Sequence, residues 1–156
     1  MAALDIALGQ VRPLSRAFIE VLTRNLGGLG QEVLLAVYIS GDGRTLGHRL
    51  FASGEQAVVA GRYRALIEPA LRLGAQGILL AHNHPSGDPR PSVADIEMTR
   101  GLQALLRLLD FDLVDHLILG GGQTTSMRGA GLMIEAAGAQ PPCVEFARSQ
   151  RTRAAA

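Results

Sequence analysis

Aromatic residues are scarce in this sequence, 4% of its 156 positions, and tryptophan is absent. The core must therefore be filled by Leu, Ile, Val and Ala, and there is little on which successive nucleic-acid bases can stack. Cys143 is the only cysteine, which excludes an intrachain disulfide and a cysteine-based zinc site. Neither sign of charge prevails. Fifteen Lys and Arg against 14 Asp and Glu leave a formal +1, which speaks against a strongly electrostatic nucleic-acid surface. No apolar run approaches the roughly 20 residues that span a bilayer. The opening Met1-Ala2-Ala3-Leu4-Asp5 lacks the basic region and long apolar core of a signal peptide. These absences predict a cytoplasmic protein with no membrane contact.

Apolar residues, by contrast, make up 47% of the chain, enough at this length for one domain with a real core. Phe18, Leu22 and Leu26 fall on one helical face after Pro13-Leu14-Ser15-Arg16, and Gly27-Gly28-Leu29-Gly30 breaks that helix. The glycine-rich run 25–30 lacks the Lys-Ser/Thr of a phosphate loop and follows a helix, not a strand. Runs 32–39 and 77–81 are apolar without a polar face and read as strands buried on both sides. After the Ser40-Gly41-Asp42-Gly43 turn, 45–52 returns as a more exposed partner carrying Arg49 and an edge histidine, His48.

Val59, Tyr63, Leu66, Ala70 and Leu73 recur at helical spacing, with Pro69 expected to kink or restart that helix near Glu68. A helix from 92 to about 109 turns Ile96, Leu102, Leu105, Leu106 and Leu109 inward. The run 111–119 reads as a third buried strand, and Gly120-Gly121-Gly122 turns into a short one at 123–126. This order predicts an α/β fold, a mixed central sheet flanked by helices. It divides the chain into a lead-in and helix at 1–29, a main domain at 30–136, and a tail at 137–156 with no packing face, expected to be mobile.

The stretch from Ala81 to Asp95 carries the chemistry. Side chains on a strand repeat every second residue, so His82 and His84 point the same way at the strand exit, with Asn83 opposed. Pro85, Pro89 and Pro91 restrict the loop that follows. Ser92 opens the next helix, and Asp95 sits in its first turn. Two imidazoles and a carboxylate thus converge, a ligand set suited to zinc with a fourth position left for water. Ser92 and Asp95 also have the spacing of a helix cap, which explains those two residues alone but not the paired histidines.

The run His82-Asn83-His84-Pro85-Ser86-Gly87, with Pro91-Ser92 and Asp95, resembles the metal motif of the JAB/MPN (JAMM) metallopeptidases, in detail the RadC-like branch. The likeness extends over about 32–133, taking in Glu32-Val33, Asp115-His116-Leu117-Ile118 and Ser126. It implies a single JAB/MPN domain in a cytidine-deaminase-like three-layer arrangement. It also implies Zn2+ held by His82, His84 and Asp95, and cleavage of an amide or isopeptide bond in a peptide or protein. Relatives often carry Phe where the strand after Glu32 has Leu, and Pro-Arg-Glu where Arg62-Tyr63-Arg64 stands here. Longer members carry a helix-hairpin-helix segment, of which the residues before 30 hold no convincing copy.

Such chemistry needs a base. Residue spacing alone does not choose among Glu20, Glu32, Glu55, Glu68, Glu97, Glu135 and Glu145, and from its residues alone a strand-end charge reaching solvent is the favoured reading of Glu32. Glu32 differs in opening an apolar strand, where desolvation could raise its pKa. The resemblance implies Glu32 as that base and Ser92 as a donor to the oxyanion. Asp115, on one strand face with Leu113 and Leu117, is expected to be buried and hydrogen-bonded, to backbone more readily than to a ligand histidine, and His116, opposite with Val114 and Ile118, to be a core histidine. Two other readings stay open: an accessory protein of DNA repair or a mobile element, and a non-catalytic interaction module. Any nucleic-acid contact is expected to be weak, through Arg148, Arg151 and Arg153 of the tail.

Overall fold

The computed structural model describes residues 8, 11–52 and 63–134. Among these, three helices and one five-stranded sheet follow in the order α1 (Arg16–Leu26), β1 (Val33–Ile39), β2 (Thr45–Ala52), α2 (Arg64–Leu73), β3 (Gly77–Asn83), α3 (Val93–Leu108), β4 (Asp112–Gly120) and β5 (Gln123–Ser126). The sheet runs β2-β1-β3-β4-β5. It is mixed: β3 and β4 are parallel, and every other neighbouring pair is antiparallel. The expected mixed sheet between helices is what forms. Glu55, Val59, Arg62, Glu135, Cys143, Glu145 and the arginines of the tail lie outside the described residues.

Helices cover both faces of the sheet, which is why β1 and β3 are buried at every position and read as unbroken apolar runs. On one face Leu34, Ala36, Tyr38, Ile78, Leu80 and Ile118 pack with Leu66, Ile67 and Ala70 of α2 and Leu102 and Leu106 of α3. On the other, Val33, Leu35, Val37, Leu79, Ala81, Leu117 and Leu119 meet Phe18, Leu22 and Leu26 of α1. Those three helix positions are one turn apart, and the Ser15 hydroxyl caps the helix by accepting from the Phe18 amide at 3.2 Å. Helix α1 thus belongs to the same core as the strands. The edge strand β2 buries only Phe51, and His48 on it is exposed.

Three local expectations are corrected. Helix α2 runs through Pro69 without a restart at Glu68, because the buried Leu66, Ile67 and Ala70 hold it to the sheet across the one missing hydrogen bond. Leu73 and Leu109 do not face the core: Leu73, the last residue of α2, is 43% exposed, and Leu109 caps α3 from outside and is 42% exposed. Leu113 does not share a face with Leu117. The β3–β4 register shifts between Ile78 and Leu79, leaving Val114 without a partner in the ladder, so Leu113 joins the α2/α3 side and Leu117 the α1 side. Arg128 stabilises the irregularity by donating to the carbonyls of Val114 and Leu113 at 2.7 and 2.6 Å.

Asp115 does what the backbone reading expected. Its carboxylate accepts from the amides of His116 and Arg128 at 2.7 and 3.0 Å and from the Ser126 hydroxyl, tying the end of β5 to β4.

Leu80 is fully buried on β3 between the two helices and the flanking strands. Leu80→Ala should lower unfolding stability by about 2–5 kcal/mol, read as a fall in the urea midpoint with little change in slope. An unchanged midpoint would contradict this placement of the core.

Candidate metal centre

The topology brings three segments to one end of the sheet. Because β1 runs antiparallel to β3 with Leu34 opposite His82, the residue that enters β1, Glu32, arrives beside the residues that leave β3. Helix α3 starts at the same end after the proline-bearing loop, so its first-turn Asp95 arrives there too. Four of the five predicted side chains meet here. His82 and His84 face each other with Nε2 atoms 2.8 Å apart. Asp95 reaches both, Oδ1 at 3.4 Å from His82 Nε2 and Oδ2 at 3.4 Å from His84 Nε2, and Glu32 Oε1 stands 3.5 Å from His82 Nε2.

Two imidazole nitrogens this close do not both present lone pairs unless a cation lies between them. His84 Nδ1 lies 2.8 Å from the Asp88 carbonyl, which can only accept; Nδ1 therefore carries the proton and Nε2 is bare. Burial, with the neighbouring His84, pulls the His82 pKa down to about 4 despite the opposing charge of Asp95, so His82 is neutral and the two nitrogens are joined either by its one ring proton or by a metal ion. The spacing of the groups suits a divalent ion. Ligands about 2.0–2.1 Å from a tetrahedral zinc lie about 3.3 Å from one another. The carboxylate contacts already have that spacing, and the imidazoles need to part by about 0.5 Å.

The carboxylates differ. One ligand atom from each of Glu32, His82 and His84 lies within 4.8 Å of the other two. Asp95 Oδ2 is also committed to a capping box, accepting from the Ser92 amide and hydroxyl at 2.6 Å each. Burial works to raise the Asp95 pKa, but these bonds from Ser92 and the field of His82 outweigh it, and the carboxyl stays below its ordinary range. The cap reading of Ser92 and Asp95 thus holds alongside the ligand reading, and the single Ser92 proton points at Asp95. Glu32 is 41% exposed on its side chain, so the desolvation expected at a strand start is not found.

Several residues that position the site escaped the sequence reading. Asn83 points to the opposite face of β3 and is fully buried there. Its Oδ1 accepts from the Val33 amide at 2.8 Å, and its Nδ2 donates to the carbonyls of Leu29 and Gln31 at 3.2 and 3.1 Å. One side chain between the two histidines therefore holds the backbone on both sides of Glu32. An amide between two apolar strands, with no neighbour in sequence to satisfy it, was the available signal.

Gly120 and Gly121 are more than a turn. A Cβ on Gly120 would lie 2.9 Å from backbone of Gly87 and Asp88, and one on Gly121 2.7 Å from the Gly87 carbonyl. Their bareness lets the loop that carries the Asp88 carbonyl settle against β4, where the His84 amide donates to Leu119 at 2.8 Å. Arg90 clasps the same loop by donating to the Asp88 carboxylate at 2.6–3.0 Å.

Comparison with known proteins identifies the family. A family model described as a RadC-like JAB domain matches residues 14–132. Similar proteins include a UPF0758 protein of Aquifex aeolicus, 38% identical over 103 residues, which are 66% of this chain and 45% of that protein. A UPF0758 protein of Chloroflexus aurantiacus is 47% identical over 74 residues, 47% of this chain and 32% of its own. The UPF0758 protein YfjY of Escherichia coli K12 is 35% identical over 112 residues, 72% of this chain and 70% of its own. The chain thus spans less than half the length of the first two. No helix among the described residues is long and apolar enough to cross a membrane.

Two outcomes follow for the metal-free protein. Asn83→Leu strands the buried Val33 amide and should cost about 1–3 kcal/mol in urea unfolding; no loss would show that Asn83 does not hold the segment. Burial lowers the His116 pKa to about 3 and that of His82 to about 4, against an ordinary 6.5. As pH falls from 6.5 towards 4, the unfolded chain takes up protons at these two rings that the folded chain refuses. Stability should therefore fall with pH across that window. Asp115, raised by burial despite its hydrogen bonds, opposes with one proton against two. Melting temperatures of chelator-treated protein that stay flat over this range would contradict the assignment.

Proposed function

Since this chain belongs to the family of RadC-like JAB domains, we propose that it is a zinc-dependent hydrolase of the JAMM type, cleaving an amide or isopeptide bond in a peptide or protein. The observation that carries this reading is the imidazole pair, Nε2 to Nε2 2.8 Å, with carboxylates 3.4–3.5 Å from it. His82, His84 and Asp95 would hold the ion. When bound, zinc supplies a Lewis acid and lowers the pKa of a water to about 7.

The remaining work falls to the chain. Glu32 stands partly open to solvent beside His82, where a base can take the proton of the attacking water and return it to the leaving amine. The Ser92 hydroxyl, given to Asp95 in this structure, would turn to the oxyanion that develops on the substrate. A substrate reaches these groups from the surface. A cavity of about 280 Å³ bordered by Arg12, Ile39, Gln76 and Asp112 lies at the other end of the sheet and touches none of them. The accessory role in DNA repair or in a mobile element is the second reading, with contact through Arg148, Arg151 and Arg153.

Zinc content and cleavage of a peptide library separate these readings. Wild type should carry about one zinc per chain and cleave. Glu32→Gln should keep the zinc and lose ~10²–10⁴-fold in rate, whereas His84→Ala should lose both. A Glu32→Gln variant as fast as wild type would remove Glu32 from the chemistry, and one that sheds its zinc would make Glu32 a ligand. Absence of zinc after preparation in zinc buffer, together with sequence-specific DNA binding that survives physiological salt, would favour the second reading.

A further inference from the structure

Behind His82 lies a buried polar chain that the proposed chemistry does not use. His116 on β4 and Thr99 on α3 are both fully buried. His82 Nδ1 meets His116 Nε2 at 3.0 Å, His116 Nδ1 meets the Thr99 hydroxyl at 2.7 Å, and that hydroxyl lies 2.6 Å from the backbone carbonyl of Asp95. We propose that Thr99 and His116 are positioning residues that set the tautomer of His82, leaving its Nε2 bare for a metal ion.

Counting protons gives the direction. The Asp95 carbonyl has none, so an oxygen 2.6 Å away must donate to it; the Thr99 hydroxyl has only one proton and gives it there. The Met127 sulfur, 3.5 Å from the same hydroxyl, is a weaker and more distant acceptor. The Thr99 oxygen then has only lone pairs to offer His116, so His116 Nδ1 carries the proton and its Nε2 is bare. His116 Nε2 in turn accepts from His82 Nδ1, and His82 Nε2 is left without a proton, facing His84. The opposite assignment fails at the Thr99 end, because it would put two oxygens 2.6 Å apart with no proton between them.

The relay also begins on the peptide carbonyl of one proposed ligand residue and ends on the ring of another. A shift of helix α3 against β3 is therefore transmitted to the orientation of His82. His116 is a core histidine by burial, as expected, but it is also the residue that reaches a ligand histidine, the role weighed for Asp115. This inference rests on the metal reading above for its purpose but not for its geometry.

Its test uses two readouts. Nitrogen-15 NMR of the histidine rings in metal-free protein should show His116 and His82 both protonated at Nδ1. Zinc affinity, measured by competition with a chromophoric chelator, should fall about 10–100-fold in Thr99→Val, as for other groups that orient metal ligands, and stay within a few-fold of wild type in Thr99→Ser. In Thr99→Val the His116 Nδ1 proton loses its acceptor, so both rings should move towards the Nε2-protonated form. A wild-type spectrum with His116 protonated at Nε2 overturns the proposal, whether or not any variant folds. So does Thr99→Val with wild-type affinity and tautomers. A wild type that binds no zinc but shows the stated tautomers would defeat the metal reading and leave the relay standing.

Discussion

Two imidazole nitrogens are held 2.8 Å apart where β3 leaves the sheet, and the surrounding structure is arranged to keep them there. His82 is fixed because it ends a strand buried on both sides, where a shift of one residue would carry every apolar side chain to the wrong layer. His84 is fixed because its amide is tied to β4 and its ring to a loop carbonyl. Neither ring can swing away to relieve the contact, since each has its outer nitrogen engaged.

Strand alternation divides the labour at this point. His82 and His84 turn towards the cleft beside α3, while Asn83 turns to the α1 side and clasps the backbone around Glu32. A single tripeptide therefore supplies both imidazoles and the support for the acidic residue opposite them. The glycines after β4 let the histidine loop approach closely enough to close the arrangement. Asp115, by contrast, turns to the other face of β4 and holds β5 and the turn after it through the Ser126 hydroxyl and the Arg128 amide.

Much of this was legible because it depends on period and residue type. Continuous apolar runs marked β1 and β3, alternation brought His82 and His84 together, and Ser92 with Asp95 marked the start of α3. What depends on pairing between distant segments was not legible. The choice of Glu32 among the glutamates becomes physical only when β1 lies antiparallel beside β3, and residue spacing contains no statement of that register. The bulge at Val114 moves Leu113 to the other face, which no alternation rule foresees. Pro69 remains inside α2 because packing outweighs one missing hydrogen bond. His116 looked like any apolar-strand histidine; its part is set by Thr99, 17 residues away along the chain.

The central claim is that a cation binds between the Nε2 atoms of His82 and His84. Diffraction from crystals grown with zinc, recorded on both sides of the zinc absorption edge, tests it directly. The expected anomalous map has one strong peak about 2.0–2.1 Å from both Nε2 atoms and from an Asp95 carboxylate oxygen, with Glu32 near but not bonded. Empty density between the rings, or zinc bound through an Nδ1 nitrogen, would contradict it.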